Sequence, residues 1–311
     1  MDIKYFEYFD AVARCGSINK AAQALYISQP HLSHIIRDIE SEVGMELLRR
    51  TKQGVTLTPE GEKFLEHARA ILREMESLKN FTRQSPPDKD RLSVSMTKFT
   101  HTMEVFNEIC AENQRQERFS YRLNEGTAVD VIEDVAAGVT DVGVLDFTSS
   151  ERTRFLARLG ENGLEFRHVA TLMPHIVVSK NHELLRQGRP VTLENLRDYA
   201  FVRYSGQYED FIYSISTEDA RMDMDNSPRI IYVDGRSALM NLIAVSDCYT
   251  IGIQAFSAQD SMYQCVSVPI PNCTERLEFG IVTRRDAALS QPERRFVDRV
   301  AACYQALQRV E

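Results

Sequence analysis

Residues 17–58 read SINKAAQALYISQPHLSHIIRDIESEVGMELLRRTKQGVTLT, and this stretch decides the fold of the N-terminal part. Ser17 is a good N-cap, and Ile18, Ala21, Ala22 and Leu25 recur at helical spacing behind it, which predicts a short helix. A turn over Tyr26 and Ile27 leads to Ser28, a second N-cap, with Pro30 in the first turn of the next helix, where no amide hydrogen is needed. That helix runs to about Val43. Leu32, Ile35, Ile36, Ile39 and Val43 form its apolar stripe, which leaves Gln29, His31, Ser33, His34 and Arg37 on the outer surface of its first half. Hydrogen-bonding side chains in that position suit a helix that reads base edges in a major groove. A short hairpin then ends at Thr58.

Charge agrees with this, although the whole chain does not. The 311 residues carry a net charge of -8, and an acidic protein is repelled by nucleic acid. Yet residues 11–37 contain no acid while holding Arg14, Lys20 and Arg37, and residues 47–59 contain none while holding Arg49, Arg50 and Lys52. The two acid-free stretches form the face that a helix-turn-helix turns toward phosphate. The plain alternative is a solvated basic surface.

At these residues the chain resembles the LysR-type transcriptional regulators. The resemblance rests on YFEYFDAVARCGS, then NKAAQALYISQPHLSHIIRDIESEVGMELLRR, then GVTLTPEG, in that order and spacing. Two positions depart from the usual pattern, Cys15 before the Gly-Ser and Leu48 where an aromatic residue is common. The resemblance implies that the second helix of the motif reads DNA and that the hairpin is a wing on the backbone. Gln29, Pro30, Ser33, His34 and Arg37 are then the base-facing group, Ser28 and His31 join them in the DNA-binding set, and Arg50 and Lys52 are the phosphate contacts. It implies a double-stranded operator and a small-molecule effector as partners, RNA polymerase as a further one, and a homodimer or homotetramer.

Outward from the motif, residues 2–14 predict a first helix that packs behind it through Ile3, Phe6, Phe9, Val12 and Ala13. Thr58 caps a long charged helix with Pro59 at its first position, running to about Gln84. Phe64, Ala68, Ile71, Met75 and Leu78 are spaced 4, 3, 4 and 3 apart, a heptad seam. A dimerisation helix is one reading; packing against its own chain is the other. Ser85-Pro86-Pro87-Asp88 marks a boundary and hinge.

From Arg91 onward, strands alternate with helices, which implies βαβ units and parallel sheet. Residues 146–164 read as loop, 208–220 as helix, and a short helix falls near Leu193. The expected organisation is α plus α/β. A winged helix-turn-helix domain covers 1–58, a linker helix and hinge 59–87, and a two-lobed effector domain 88–311. The first lobe comprises about 91–161 and 268–311, and the second about 162–267. The resemblance implies the type-2 periplasmic-binding-protein fold for this domain.

In such sheets ligands bind off the carboxyl ends of strands, near helix N-termini. Thr97 and Thr100 lie at one such junction, Thr127 at the next, and Arg203 and Arg236 in the second lobe. They suit hydroxyl and guanidinium groups around a small organic anion, although each Thr also reads as a helix cap and each Arg as a surface charge. The sequence carries no Gly-x-Ser-x-Gly, His-Glu-x-x-His, Walker or Gly-x-Gly-x-x-Gly motif, so neither an enzyme nor a cofactor is expected. The six cysteines lie far apart without Cys-x-x-Cys pairs, and buried, inert thiols are expected; Cys265 with Cys273 as a redox pair is the alternative. His31 and His34, at i and i+3, lack a third ligand, so no metal is expected. The start alternates apolar and charged residues unlike a signal peptide, and no apolar run spans a bilayer, so a cytoplasmic protein is expected. A solute-binding protein and a constitutive DNA-binding protein without ligand are the competing readings.

Overall fold

The computed structural model describes residues 2–51, 54–82, 90–204, 214–217, 221–223, 227–254, 263–285 and 287–309. They fall into two compact units that divide between Ser85 and Pro86. Lys52, the hinge at 85–88 and most of the segment 208–220 lie outside the described residues, as do the side chains of Arg50 and Leu78.

The first unit contains α1 (Ile3–Cys15), α2 (Ile18–Ala24), α3 (Gln29–Val43), the antiparallel hairpin β1 (Leu48–Thr51) and β2 (Gly54–Leu57), and α4 (Pro59–Thr82). Its core is the apolar stripes meeting: Phe9 and Val12 of α1, Ala21 and Ala22 of α2, Leu32, Ile36 and Ile39 of α3, and Leu65 of α4. Two polar groups pin the hairpin. Glu40 accepts from the amides of Leu47 and Leu48 at 2.9 and 3.0 Å, and the amide of Val55 donates to the carbonyl of Gly16 at 2.8 Å. The second contact requires Gly54, whose φ is +139° and whose missing Cβ would lie 2.4 Å from that carbonyl oxygen. Thr58 caps α4 by accepting from the amide of Gly61 at 2.9 Å.

The start of the α4 seam packs against its own chain. Phe64 meets the rings of Phe6 and Phe9 at 6.0 and 4.9 Å, and Ala68 is fully buried. This corrects their assignment to an intermolecular seam: α1 already covers them. Ile71 is 40% exposed and Met75 is half-buried.

The second unit holds two five-stranded sheets. The first is built from β3 (Asp90–Thr97), α5 (Thr100–Asn113), β4 (Phe119–Gly126), α6 (Ala128–Ala136), β5 (Val142–Thr148), α7 (Arg152–Glu161) and β6 (Leu164–Leu172). The second follows with β7 (His175–Ser179), α8 (Glu183–Arg186), β8 (Phe201–Tyr204), the small ribbon β9 (Ser214–Ser216) and β10 (Arg221–Asp223), β11 (Ile230–Val233), α9 (Arg236–Val245), β12 (Tyr249–Gly252) and β13 (Cys265–Pro269). The chain then returns to the first sheet as β14 (Leu277–Arg284) and ends in α10 (Gln291–Gln308). The strand orders are β4-β3-β5-β14-β6 and β11-β8-β12-β7-β13. Parallel pairing of β3 with β4 and β5, and of β8 with β11 and β12, brings the carboxyl ends of these strands to one edge of each sheet.

Four expectations are corrected. The lobe boundary does not fall after residue 161, because β6 pairs with β14 along its length and belongs to the first sheet. Residues 152–161 are helix α7, whose Phe155 and Leu159 bury against that sheet, and Ser214–Ser216, expected as helix, pair as strand β9. The expected helix near Leu193 is a 3-10 turn at Asn195–Asp198.

Candidate functional site

In α3 the outer face is laid out by its caps and its buried stripe. Ser28 accepts from the amide of His31 at 3.4 Å, and Pro30 occupies the first turn. Ser28, Gln29, Pro30, His31, His34 and Arg37 are all exposed. Ser33 is not: it is buried, and its hydroxyl accepts from Gln29 Nε2 at 2.7 Å. The correction assigns Ser33 to holding Gln29 rather than to meeting a base. His34 Nδ1 lies 2.8 Å from Asp38, and Arg37 Nε donates to the Ser33 carbonyl at 3.2 Å while its side chain stays exposed.

Charge on this face is reduced at one point. Arg14 pairs with Asp10 at 2.8 Å within α1, and Arg69 of α4 takes the other carboxylate oxygen at 2.8 Å, so the Arg14 charge is partly neutralised by an acid that also ties α1 to α4. Lys20 and Arg49 are exposed. A residue that sequence reasoning passed over is Tyr26, 96% exposed in the turn between α2 and α3 with φ +54°. A tyrosine in that conformation with nothing covering it spends backbone strain and apolar surface without return from packing. That combination could have been noticed, since a turn otherwise favours Asn or Gly there.

In the second unit the carboxyl edges of the two sheets meet. Lys98, just past β3, sends Nζ to 3.3 Å from the carbonyl of Asp234, which accepts, and to 4.4 Å from the ring centroid of Tyr204 at the end of β8. Glu125 of β4 lies 2.9 Å from Nε of Arg236, the first residue of α9, with side chains 27% and 12% exposed. The Arg236 N–H is buried and not aligned for a hydrogen bond, so this contact is an ion pair alone. Burial lowers the Lys98 pKa against the pull of Glu125, Asp130 and Asp234. Burial, and then Glu108, raise that of Glu104, with Arg236 opposing.

Of the five candidate effector residues, Arg236 stands in this cluster. Thr97 does not present a hydroxyl: it is buried and donates to Asp146 at 2.6 Å. Thr127 is engaged in a capping box with Asp130. Both are corrections in favour of the structural alternative. Thr100 is half-buried at the start of α5, a helix without a side-chain cap bond, as is α9. Arg203 is buried, its guanidinium 5.7 Å from the Tyr232 ring centroid, on the opposite face of β8 from Tyr204. Lys98 and Glu125 were passed over because their partners, Tyr204 and Asp234 for the one and Arg236 for the other, lie far away in sequence.

Among the described residues no cluster of three or more His, Cys, Asp or Glu could hold a metal, and no helix is long and apolar enough to cross a membrane. All six cysteines are free thiols; burial pushes Cys265 up to about 11 and raises Cys273. Both are therefore protonated and unreactive at neutral pH.

Residues 3–62 match the model of the bacterial regulatory helix-turn-helix protein, lysR family, and residues 95–303 that of the LysR substrate binding domain. The chain is similar to the uncharacterized HTH-type transcriptional regulator YcgK of Bacillus subtilis (strain 168), 46% identical over 78 residues, which span 25% of this chain and 24% of that one. It is also similar to the HTH-type transcriptional regulator AlsR of the same organism, 28% identical over 218 residues and covering 68% of each. Among solved structures it is similar to CbnR, a LysR family transcriptional regulator, at 20% identity and a TM-score of 0.47, covering 98% of this chain and 99% of that chain.

Proposed function

The chain belongs to the LysR family of helix-turn-helix transcriptional regulators, and on that premise we propose that it binds a double-stranded operator through the outer face of α3 and the β1–β2 wing, under control of a small organic anion. It is a DNA-binding regulator and not an enzyme. The observation that carries the DNA reading is the exposed set Ser28, Gln29, Pro30, His31, His34 and Arg37, free of acid on its own stretch and anchored from beneath by a buried stripe. The anion reading rests on Arg236 and Lys98 between two lobes whose nearby helices α5 and α9 start without side-chain caps, leaving amides for an acceptor.

The regulator works in the cytoplasm as a homodimer, or a homotetramer built from two dimers, with Ile71 and Met75 of α4 as the seam's available part. RNA polymerase is a further partner where it activates. The test is operator binding by the full chain, measured with and without members of a library of small carboxylates. A carboxylate that shifts the binding curve supports the reading; operator binding that no anion alters supports a constitutive DNA-binding protein instead.

A further inference from the structure

Two contacts tie one lobe of the second unit to the other at the same place. The Glu125–Arg236 ion pair joins β4 to α9, and Lys98 joins the end of β3 to Tyr204 and to the carbonyl of Asp234. The charge around them is unbalanced. Lys98 and Arg236 are the cations, while Glu104, Glu125, Asp130 and Asp234 all act on one or the other. An anion entering so acidic a neighbourhood is repelled unless it removes one of the acids from its partner. Glu125 is the acid that can leave. Its side chain is the more exposed of the pair, it meets Arg236 without an aligned hydrogen bond, and a carboxylate on a guanidinium is the same contact that an effector carboxylate makes.

We propose that the Glu125 carboxylate and the carboxylate of the effector are alternatives at Arg236, so that the chain's own anion latches the lobes and effector binding is an exchange of one carboxylate for another. This rests on the reading of the cleft as an anion site. The exchange keeps Arg236 paired throughout, which avoids leaving a half-buried cation alone. It also releases Glu125 to water, so a lobe-to-lobe bond is replaced by a ligand-to-lobe bond. A differential affinity of this kind is what lets a ligand shift a conformational equilibrium.

Hydrogen–deuterium exchange of the full chain tests it, with acetate as the probe and chloride at equal ionic strength as its control. Glu125→Gln should speed exchange roughly fivefold at the first turn of α9 and the ends of β3 and β8, while β5 and β14 stay protected. Acetate should restore slow exchange in Glu125→Gln at the first turn of α9, where it takes the place of Glu125 on Arg236, and not at the end of β3, at concentrations that leave the wild type unchanged. Arg236→Gln should open the same segments and show no response to acetate. Wild-type exchange in Glu125→Gln overturns the latch, as does faster exchange in β5 and β14, which signals loss of fold. Acetate acting equally on wild type and Glu125→Gln overturns the competition. The anion reading fails separately: no carboxylate in the library then shifts operator binding, while Glu125→Gln still opens the cleft.

Discussion

Arg37 and Arg49 both carry charge toward solvent from the first unit, and the two should behave differently. Arg37 stands on the face of α3, its Nε fixed on the Ser33 carbonyl, which leaves its terminal nitrogens for the base edge proposed above. Arg37→Ala should cost about 1 to 3 kcal/mol on the cognate site and relax one position, whereas Arg49→Ala should weaken all sequences alike and reduce the salt slope by about one. Fluorescence anisotropy across a set of single-base operator variants and salt concentrations separates the two. Equal, sequence-blind losses would remove the reading role. A second residue makes a pH prediction. Burial pushes the His101 imidazole of α5 down to about 4 from 6.5. A base with a depressed folded pKa stays neutral in the folded state while the unfolded chain takes up protons, so stability is full above about 6.5 and is lost as pH falls toward 4. Between pH 7 and 5 this amounts to about 2 kcal/mol. Urea denaturation of the second unit's signal should show that slope, and His101→Gln should flatten it even if it lowers stability at both pH values; an unchanged slope would contradict the assignment.

At the scale of elements, α4 has two jobs along its length. Phe64, Leu65 and Ala68 complete the core of the first unit, while Ile71 carries the exposed part of the same stripe. Phe64→Ala should therefore destabilise the unit itself by about 3 to 5 kcal/mol, seen as a lower melting temperature. Ile71→Asp should leave that temperature nearly unchanged and shift sedimentation toward monomer, because it puts a charge into a desolvated seam only in the assembly. An intact dimer in Ile71→Asp would place the essential interface elsewhere. The start of α4 is fixed as tightly. Gly61 lies so close to the residue just before β1 that a Cβ would sit 2.0 Å from the carbonyl oxygen of Leu47. Gly61→Ala must displace backbone and should cost about 1 to 3 kcal/mol, read by chemical denaturation. The Leu-Thr-Pro-x-Gly run at 57–61 is thus a packing device: cap, helix start and close approach in sequence.

Across the whole molecule, what could be read from the sequence follows the range of the interactions involved. Ser17, Ser28 and Pro30 act within one turn, so α2 and α3 were legible, as was the alternation that builds two sheets. The destination of β6 was not legible, since an apolar strand of its kind suits either sheet and only pairing with β14, more than a hundred residues on, decides it. Two of the effector candidates were misread for the same reason. Thr97 and Thr127 sit where a ligand could be met, but their partners Asp146 and Asp130 claim them first, and the Glu125–Arg236 pair joins residues that no local pattern relates. Ser33 shows the residue-level version, a polar side chain on the expected face that turns inward to hold its neighbour. Sequence reading by the outer face of α3 is the proposal on which the rest depends. In vitro selection of the full chain on random double-stranded DNA tests it most directly. Two half-sites related by a dyad and about one helical turn, or a multiple of it, apart should be enriched, with one position of each half-site relaxed in Arg37→Ala. A pool that stays random, or an enriched site that Arg37→Ala leaves unchanged at every position, would contradict it.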